Sequence, residues 1–276
     1  MVSPPAPSSG RFMQKNPIEV QHLTSKDFEN APFEKVILPL GSLESHGPHL
    51  PFATDTFTAY LLALEIASRV PNTAVLPPLN YGMSEHYKEF PFTVSLQPET
   101  EIVLIFDILE SVFREGIRKV LLLNGHDGNI APIEIASRKM KVRHPEMRIV
   151  SLDAWWNTLG PLLPADFFDV WNGLGHGGEA EISIALALFP ELCEPENACG
   201  MVPDLPSHID IKWKFSELTN CGATGDPKKG TREKGLTMKD LLVKTMVDIL
   251  RKLDECDWDY RSSELKALNL KENRKI

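Results

Sequence analysis

Four short, largely apolar runs, at 36–40, 74–77, 119–123 and 148–152, are separated by stretches long enough and patterned well enough to be helices. The helical stretches fall at 57–70, 99–115 and 130–142, with two more at 179–188 and 236–253. Runs of this length without polar alternation read as strands buried on both faces, and such strands belong to parallel sheets covered by helices. Strand, helix, strand, helix at this spacing predicts an α/β fold, a three-layer α/β/α sandwich around a mainly parallel sheet. With 276 residues, 42% of them hydrophobic, the chain can fill one such core, and neither a repeat nor a linker divides it.

A parallel sheet gathers ligand-binding side chains at the carboxyl ends of its strands. The first run ends in Gly41, and within fifteen residues come Glu44, His46, His49 and Asp55, set among Gly47, Pro48 and Pro51. Glu44 and His46, two apart on extended backbone, point the same way. Thr54 or Asp55 is placed to cap the helix that follows. The third run ends in Asn124-Gly125-His126-Asp127-Gly128-Asn129, a sharp turn opening a helix, on the same rim as the first cluster. Carboxylates and imidazoles without thiolate suit Zn, Mn or Fe(II), and a carboxylate can bridge two cations roughly 3.5–4 Å apart. The competing reading is that these side chains cap helices and satisfy loop amides. Their convergence on one rim favours metal, with His126 as a ligand and His49 in a supporting or structural role.

A third cluster, Gly175-His176-Gly177-Gly178-Glu179-Ala180-Glu181, opens a helix. Its glycines let backbone approach a substrate. His176 is a candidate for moving protons and Glu181 for binding metal or acting as a base, although both acids also suit a helix start. The 124–129 turn is also a place for an anion, but it lacks P-loop spacing and lysine. Gly-Ser42-Leu-Glu is not a nucleophile elbow. Residues 80–98 form a long irregular loop, 190–230 an extended coil, and 153–175 resist assignment. Within the last stretch Trp155, Trp156 and Trp171 form a candidate lid.

Charge narrows the partners. The chain has 29 basic and 38 acidic residues, a net charge of -9, and no dense basic tract. That disfavours nucleic acid and anionic membranes and leaves a small-molecule or peptide substrate. No apolar run of about 18 residues is present. Residues 1–10 are rich in Pro and Ser and lack the pattern of a signal peptide. The four cysteines make no CxxC pair and read as free thiols, which points to the cytoplasm.

With these residues in hand, the chain resembles the creatininase (creatinine amidohydrolase) family. The likeness rests on Leu-Gly-Ser-Leu-Glu-Ser-His-Gly-Pro-His-Leu-Pro leading to Asp55, on Asn-Gly-His126-Asp-Gly-Asn, and on Gly-His176-Gly-Gly-Glu-Ala-Glu181. Gly222-Ala-Thr-Gly-Asp-Pro227 followed by Glu233-Lys-Gly235 extends it to span 36–235. The resemblance implies a creatininase-like sandwich, with 15–262 as one catalytic domain between a flexible tail (1–14) and a polar tail (263–276). It implies two divalent ions per chain, with Glu44, His46, Asp55 and His126 as ligands and Asp55 bridging. His176 and Glu181 fall at catalytic positions, and Asp127, Gly178 and Trp156 are expected to contact substrate. Family members are often homo-oligomers, hexamers among them.

The implied reaction is hydrolysis of a C–N amide bond, cyclic or formyl, by a metal-activated water. Gly125 and Gly178 are expected to help hold the oxyanion, Glu181 to take the proton and His176 to protonate the leaving nitrogen. Creatinine-cleaving members carry a further metal-binding Glu two residues after the second motif's histidine, where this chain has Gly128. In that turn it is more similar to a formylaminopyrimidine deformylase, which argues against creatinine as the substrate. Either Glu181 or water then completes the second ion's shell, or that ion binds weakly. Alternatives are a deformylase-like or peptide-trimming member, and a metal-stabilised binding protein without catalysis. Phosphorylated substrates would have only Lys88, Lys228 and Lys229 to meet them.

Overall fold

The computed structural model describes residues 15–204 and 211–259. Both predicted tails, and the last residues of the predicted domain, lie outside them. Four strands, β1 (Lys35–Leu40), β2 (Thr73–Val75), β3 (Lys119–Asn124) and β4 (Arg148–Leu152), form one sheet in the order β2-β1-β3-β4. Every pairing is parallel. The expected sandwich is therefore present, with a sheet that is parallel throughout.

Side-chain alternation assigns the layers. Ile37, Leu121 and Leu123 pack with helices α2 (Thr54–Ala67), α6 (Glu179–Leu188) and α7 (Arg232–Glu255). Val36, Leu38, Leu40, Val120 and Leu122 face the other way, against α3 (Pro98–Arg114) and α4 (Ile130–Arg143). Both faces of the central strands are sealed, which is why they read as continuous apolar runs. A short helix, α1 (Ser25–Glu29), starts in a capping box made by Thr24 and Asp27.

Helix boundaries moved where polar signals did something else. α2 begins at Thr54, three residues early, and its N-cap, Ala53, makes no side-chain bond. Neither Thr54 nor Asp55 caps it. α7 begins at Arg232, four residues early, because the Thr231 side chain accepts the Lys234 N–H. The 80–98 loop contains one short 3₁₀ turn, and the described part of 190–230 has only such turns. Segment 153–175 holds a one-turn helix, α5 (Trp155–Leu159), and further 3₁₀ turns. All four cysteines are free thiols. No helix among the described residues is long and apolar enough to cross a membrane.

Candidate metal centre

β1 and β3 are neighbours in register, with Leu40 beside Asn124, so the loops after them leave the sheet side by side. The first turn of α2 drops between those loops, and two glycines make room for it. A Cβ on Gly41 would come within 2.4 Å of the Thr56 backbone, and one on Gly125 within 2.3 Å of the Asp55 carbonyl. Asp55 is thereby wedged between the two motifs, at a helix N-terminus whose dipole favours its charge. Its Oδ2 accepts a hydrogen bond from Ser42 at 2.6 Å.

Asp55 turns one oxygen to each of two groups of side chains. Oδ1 lies 2.9 Å from His46 Nε2, and Glu181 Oε2 lies 3.9 Å from the same nitrogen. Oδ2 lies 3.1 Å from His126 Nδ1, which is 3.2 Å from Glu44 Oε1. The sets Glu44, Asp55, His126 and His46, Asp55, Glu181 each bring three donor atoms within 4.8 Å of one another. A third set, Glu44, His46 and His176, overlaps both.

Backbone carbonyls choose which nitrogen faces inward. His46 Nδ1 donates to the Glu44 carbonyl at 3.2 Å, and His126 Nε2 donates to the Met83 carbonyl at 3.0 Å. Each imidazole thus offers its other nitrogen to the centre, as outer partners of metal-binding histidines do. Glu44 is wholly enclosed, and both its oxygens lack a hydrogen bond. The 3.2 Å approach of His126 has the distance of an ion pair without the alignment of a hydrogen bond.

The electrostatics describe a place that requires positive charge. Burial works to depress the His46 pKa, yet Asp55, Glu181 and Glu44 outweigh it and hold it at about 9. Burial likewise opposes charge on His126, and Glu44 and Asp55 push it well above the usual value. Asp55 sits well below the carboxylate range, because His46 and His126 overcome the penalty of its burial. Burial raises Glu181 to about 7. His176 goes the other way, pushed down to about 3 by burial and by its neighbour His46. Behind the site, burial raises Glu101, in the first turn of α3, to about 7, and one of its oxygens has no partner.

The glycine motif forms the opposite lip. His176 Nε2 donates to the Ser45 carbonyl at 2.6 Å, leaving Nδ1 3.6 Å from Glu44. Glu181 accepts the Gly177 N–H, and the Gly177 carbonyl accepts from His49 Nε2 at 2.8 Å. His49 is buried and braces this turn from behind. Gly177, at φ 64°, holds a left-handed conformation and lies against the His46 carbonyl. Glu179, expected only to favour the helix dipole, is fully buried, pairs with Lys234 and accepts the amides of Asp169 and Val170.

A cavity of about 240 Å³ opens beside these groups, lined by Asp55, His126, Asp127, Trp156, His176 and Glu181, and closed by Tyr87, Phe215 and Thr224. Asp127 and Trp156 reach it as expected, whereas Gly178 does not line it and packs against the carbonyls of Leu174, Gly175 and Thr224. The oxyanion expectation fails for both glycines: the Gly125 N–H donates to the Leu40 carbonyl at 2.8 Å and the Gly178 N–H to Gly175 at 3.2 Å. Of the three tryptophans of the candidate lid, only Trp156 lines the cavity, since Trp155 is buried in the core and Trp171 is not among the lining residues. Lys88, Lys228 and Lys229 do not line it either, and among the described residues no lysine or arginine does. Gly128 is sealed: a Cβ there would stand 2.0 Å from the Met83 carbonyl.

Tyr87 and Phe215 escaped the sequence reading. Tyr87 lay in a loop already singled out for its length, and Phe215 carried no local signal.

Residues 21–250 match the family model Creatininase (creatinine amidohydrolase). The chain belongs to the creatininase family. It is 28% identical over 232 residues to the creatinine amidohydrolase of Pseudomonas putida, covering 78% of this chain and 88% of that one. It is 30% identical over 213 residues to the mycofactocin precursor peptide peptidase of Mycobacterium ulcerans, covering 72% and 78%. The solved structure "Creatininase Mn" superposes with a TM-score of 0.73 at 26% identity, over 85% of this chain and 98% of that one. This member of the family is thus a hydrolase with a parallel α/β sandwich and two candidate ligand sets at its carboxyl rim.

Proposed function

We propose that this creatininase-family chain is a metal-dependent hydrolase that cleaves a C–N amide bond in a small substrate, with water as the nucleophile. The observation that carries this is Glu44, an enclosed carboxylate with both oxygens unbonded, placed beside two donor sets that share Asp55. A buried carboxylate in that state calls for a cation. Glu44, Asp55 and His126 would hold one divalent ion, and His46, Asp55 and Glu181 a second. The all-oxygen-and-nitrogen donors suit Zn, Mn or Fe(II), and solved creatininases include a manganese form and a zinc–zinc form. Bound there, such ions polarise a carbonyl and bring the pKa of water toward neutrality.

The remaining steps belong to the chain. Glu181 joins the donors because Gly128 supplies no acid and backbone seals that position. His176 stays neutral, with its N–H fixed on Ser45, so it faces the centre as a hydrogen-bond acceptor and is a poor proton donor to a leaving nitrogen. The cavity holds the equivalent of about eight waters at ~30 Å³ each, room for a small amide or the end of a short chain. Among the described residues no lysine or arginine lines the cavity, which speaks against phosphorylated substrates. Four free thiols support a cytoplasmic setting.

Metal analysis of the purified chain tests this. About two equivalents per chain are expected, both lost in Asp55→Ala and one lost in Glu181→Gln, with creatinine, formamides and dipeptide amides then assayed for hydrolysis. Protein without metal, or loaded protein that cleaves none of these amides, overturns the proposal.

A further inference from the structure

Resting on the reading of this site as an amide hydrolase, one question is which protein group meets the substrate carbonyl oxygen. Three of the nearby backbone donors are committed: the amides of Gly125 and Gly178 bond to carbonyls within the protein, and the Thr224 N–H donates to the His176 carbonyl at 2.8 Å. The Thr224 hydroxyl accepts the His176 N–H at 2.9 Å.

Tyr87 is different. It is 6% exposed and lines the cavity, and its hydroxyl bonds to no described residue. Nor is that hydroxyl among the sealed polar atoms left without a partner, so it keeps some exposure, in a residue that lines the cavity. The ring is clamped between His176, with centroids 4.3 Å apart, and Phe215, at 4.4 Å, and lies 6.2 Å from His126. Its backbone is fixed as well, since the Tyr87 N–H donates to Ser84 and its carbonyl accepts from Phe90 and from Thr93 Oγ1. A held donor beside the place where charge develops is what oxyanion stabilisation requires. Trp156, which also lines the cavity, packs edge-on against Trp155.

We propose that Tyr87 is a catalytic residue whose phenol hydroxyl donates a hydrogen bond to the carbonyl oxygen of the bound amide. As the water oxygen bonds to the carbonyl carbon, the C=O π pair moves onto that oxygen, and Tyr87 holds it without surrendering its proton. When the pair returns, the C–N bond breaks and the nitrogen leaves with a proton derived from the water. The phenol is suited to this because its burial favours the protonated form.

The test compares Tyr87→Phe and Trp156→Phe with wild type, all metal-loaded, on creatinine, formanilide and a dipeptide amide. Phe keeps the ring that packs on His176 and Phe215 and removes only the hydroxyl. Tyr87→Phe is expected to lose about 100-fold in kcat on whichever amide wild type cleaves, with KM within about twofold and with metal content and melting temperature unchanged. Full turnover by Tyr87→Phe, a loss confined to KM, a loss accompanied by metal release, or a loss in Trp156→Phe alone overturns the assignment and leaves the hydrolase reading standing. Wild type that cleaves no amide overturns both.

Discussion

The two walls of the cavity are built by opposite means. One wall is the corner made by 41–55 and 124–129. Its charged side chains hang from strand ends and from the first turn of α2, buried except for Asp127, and His46 and His126 are aimed by backbone carbonyls. The other wall, 153–178, is made of single turns, glycines at positive φ and aromatic rings, with Trp171 40% exposed. It is tied down where Glu179 gathers the amides of Asp169 and Val170 and the ammonium of Lys234, and at its lip where His176 meets the Ser45 carbonyl and Gly177 meets His49. Charge that must be placed to a fraction of an ångström is mounted on the core, and the surface that meets substrate is mounted on loops.

That contrast predicts separable failures. Glu44→Gln is expected to abolish binding at the Glu44, Asp55, His126 set while the fold persists. Hydrolysis should fall more than about 10³-fold, the equivalent of ~4 kcal/mol of transition-state stabilisation. Metal analysis and steady-state kinetics read the two effects. Retained metal at both sets would erase the distinction between the walls.

Lys234→Met strikes the other wall. It strands the buried Glu179 charge, and breaking a buried pair costs about 3 kcal/mol. Urea unfolding should show that loss while metal content stays at the wild-type level. If metal is lost as well, the walls are one unit.

The smallest effect is a pH dependence behind the corner. Folding raises the Glu101 pKa from 4.5 to about 7, so the native state binds this proton more tightly than the unfolded chain. The stabilisation is complete below pH 4.5 and is lost as pH rises through about 7, by roughly 3 kcal/mol at most. Glu101→Gln should remove that decline, making the variant the more stable protein at pH 8 and not at pH 4. Parallel stability curves for the two proteins between pH 4 and pH 8 would show that Glu101 keeps its ordinary pKa.

The strands, the layers and the first corner were legible because they are local. Apolar runs ending in glycine mark strand ends, and Glu44, His46 and His126 follow those ends directly. Asp55 was legible as a candidate but was misread in part, since its position as a helix cap and its position in the site look alike until α2 is seen wedged between Gly41 and Gly125. The clamp between Glu179 and Lys234, and the stack of His176, Tyr87 and Phe215, could not be read. Each joins residues far apart in the chain, and no periodicity or spacing links them. Gly125 and Gly178 were misassigned for a related reason: that their amides were free depended on partners the sequence does not name.

Gly128, pressed against the Met83 carbonyl, also bears on how relatives with different ligand sets exchange them. A carboxylate cannot be restored at 128 by one substitution, because its first carbon would collide with backbone that also orients His126. The loop at 82–84 would have to give way first, and withdrawing it would loosen a histidine the centre depends on. Between the two ligand arrangements there is then no neutral intermediate. In this chain the loop and the turn have to change together for a side chain to enter at 128.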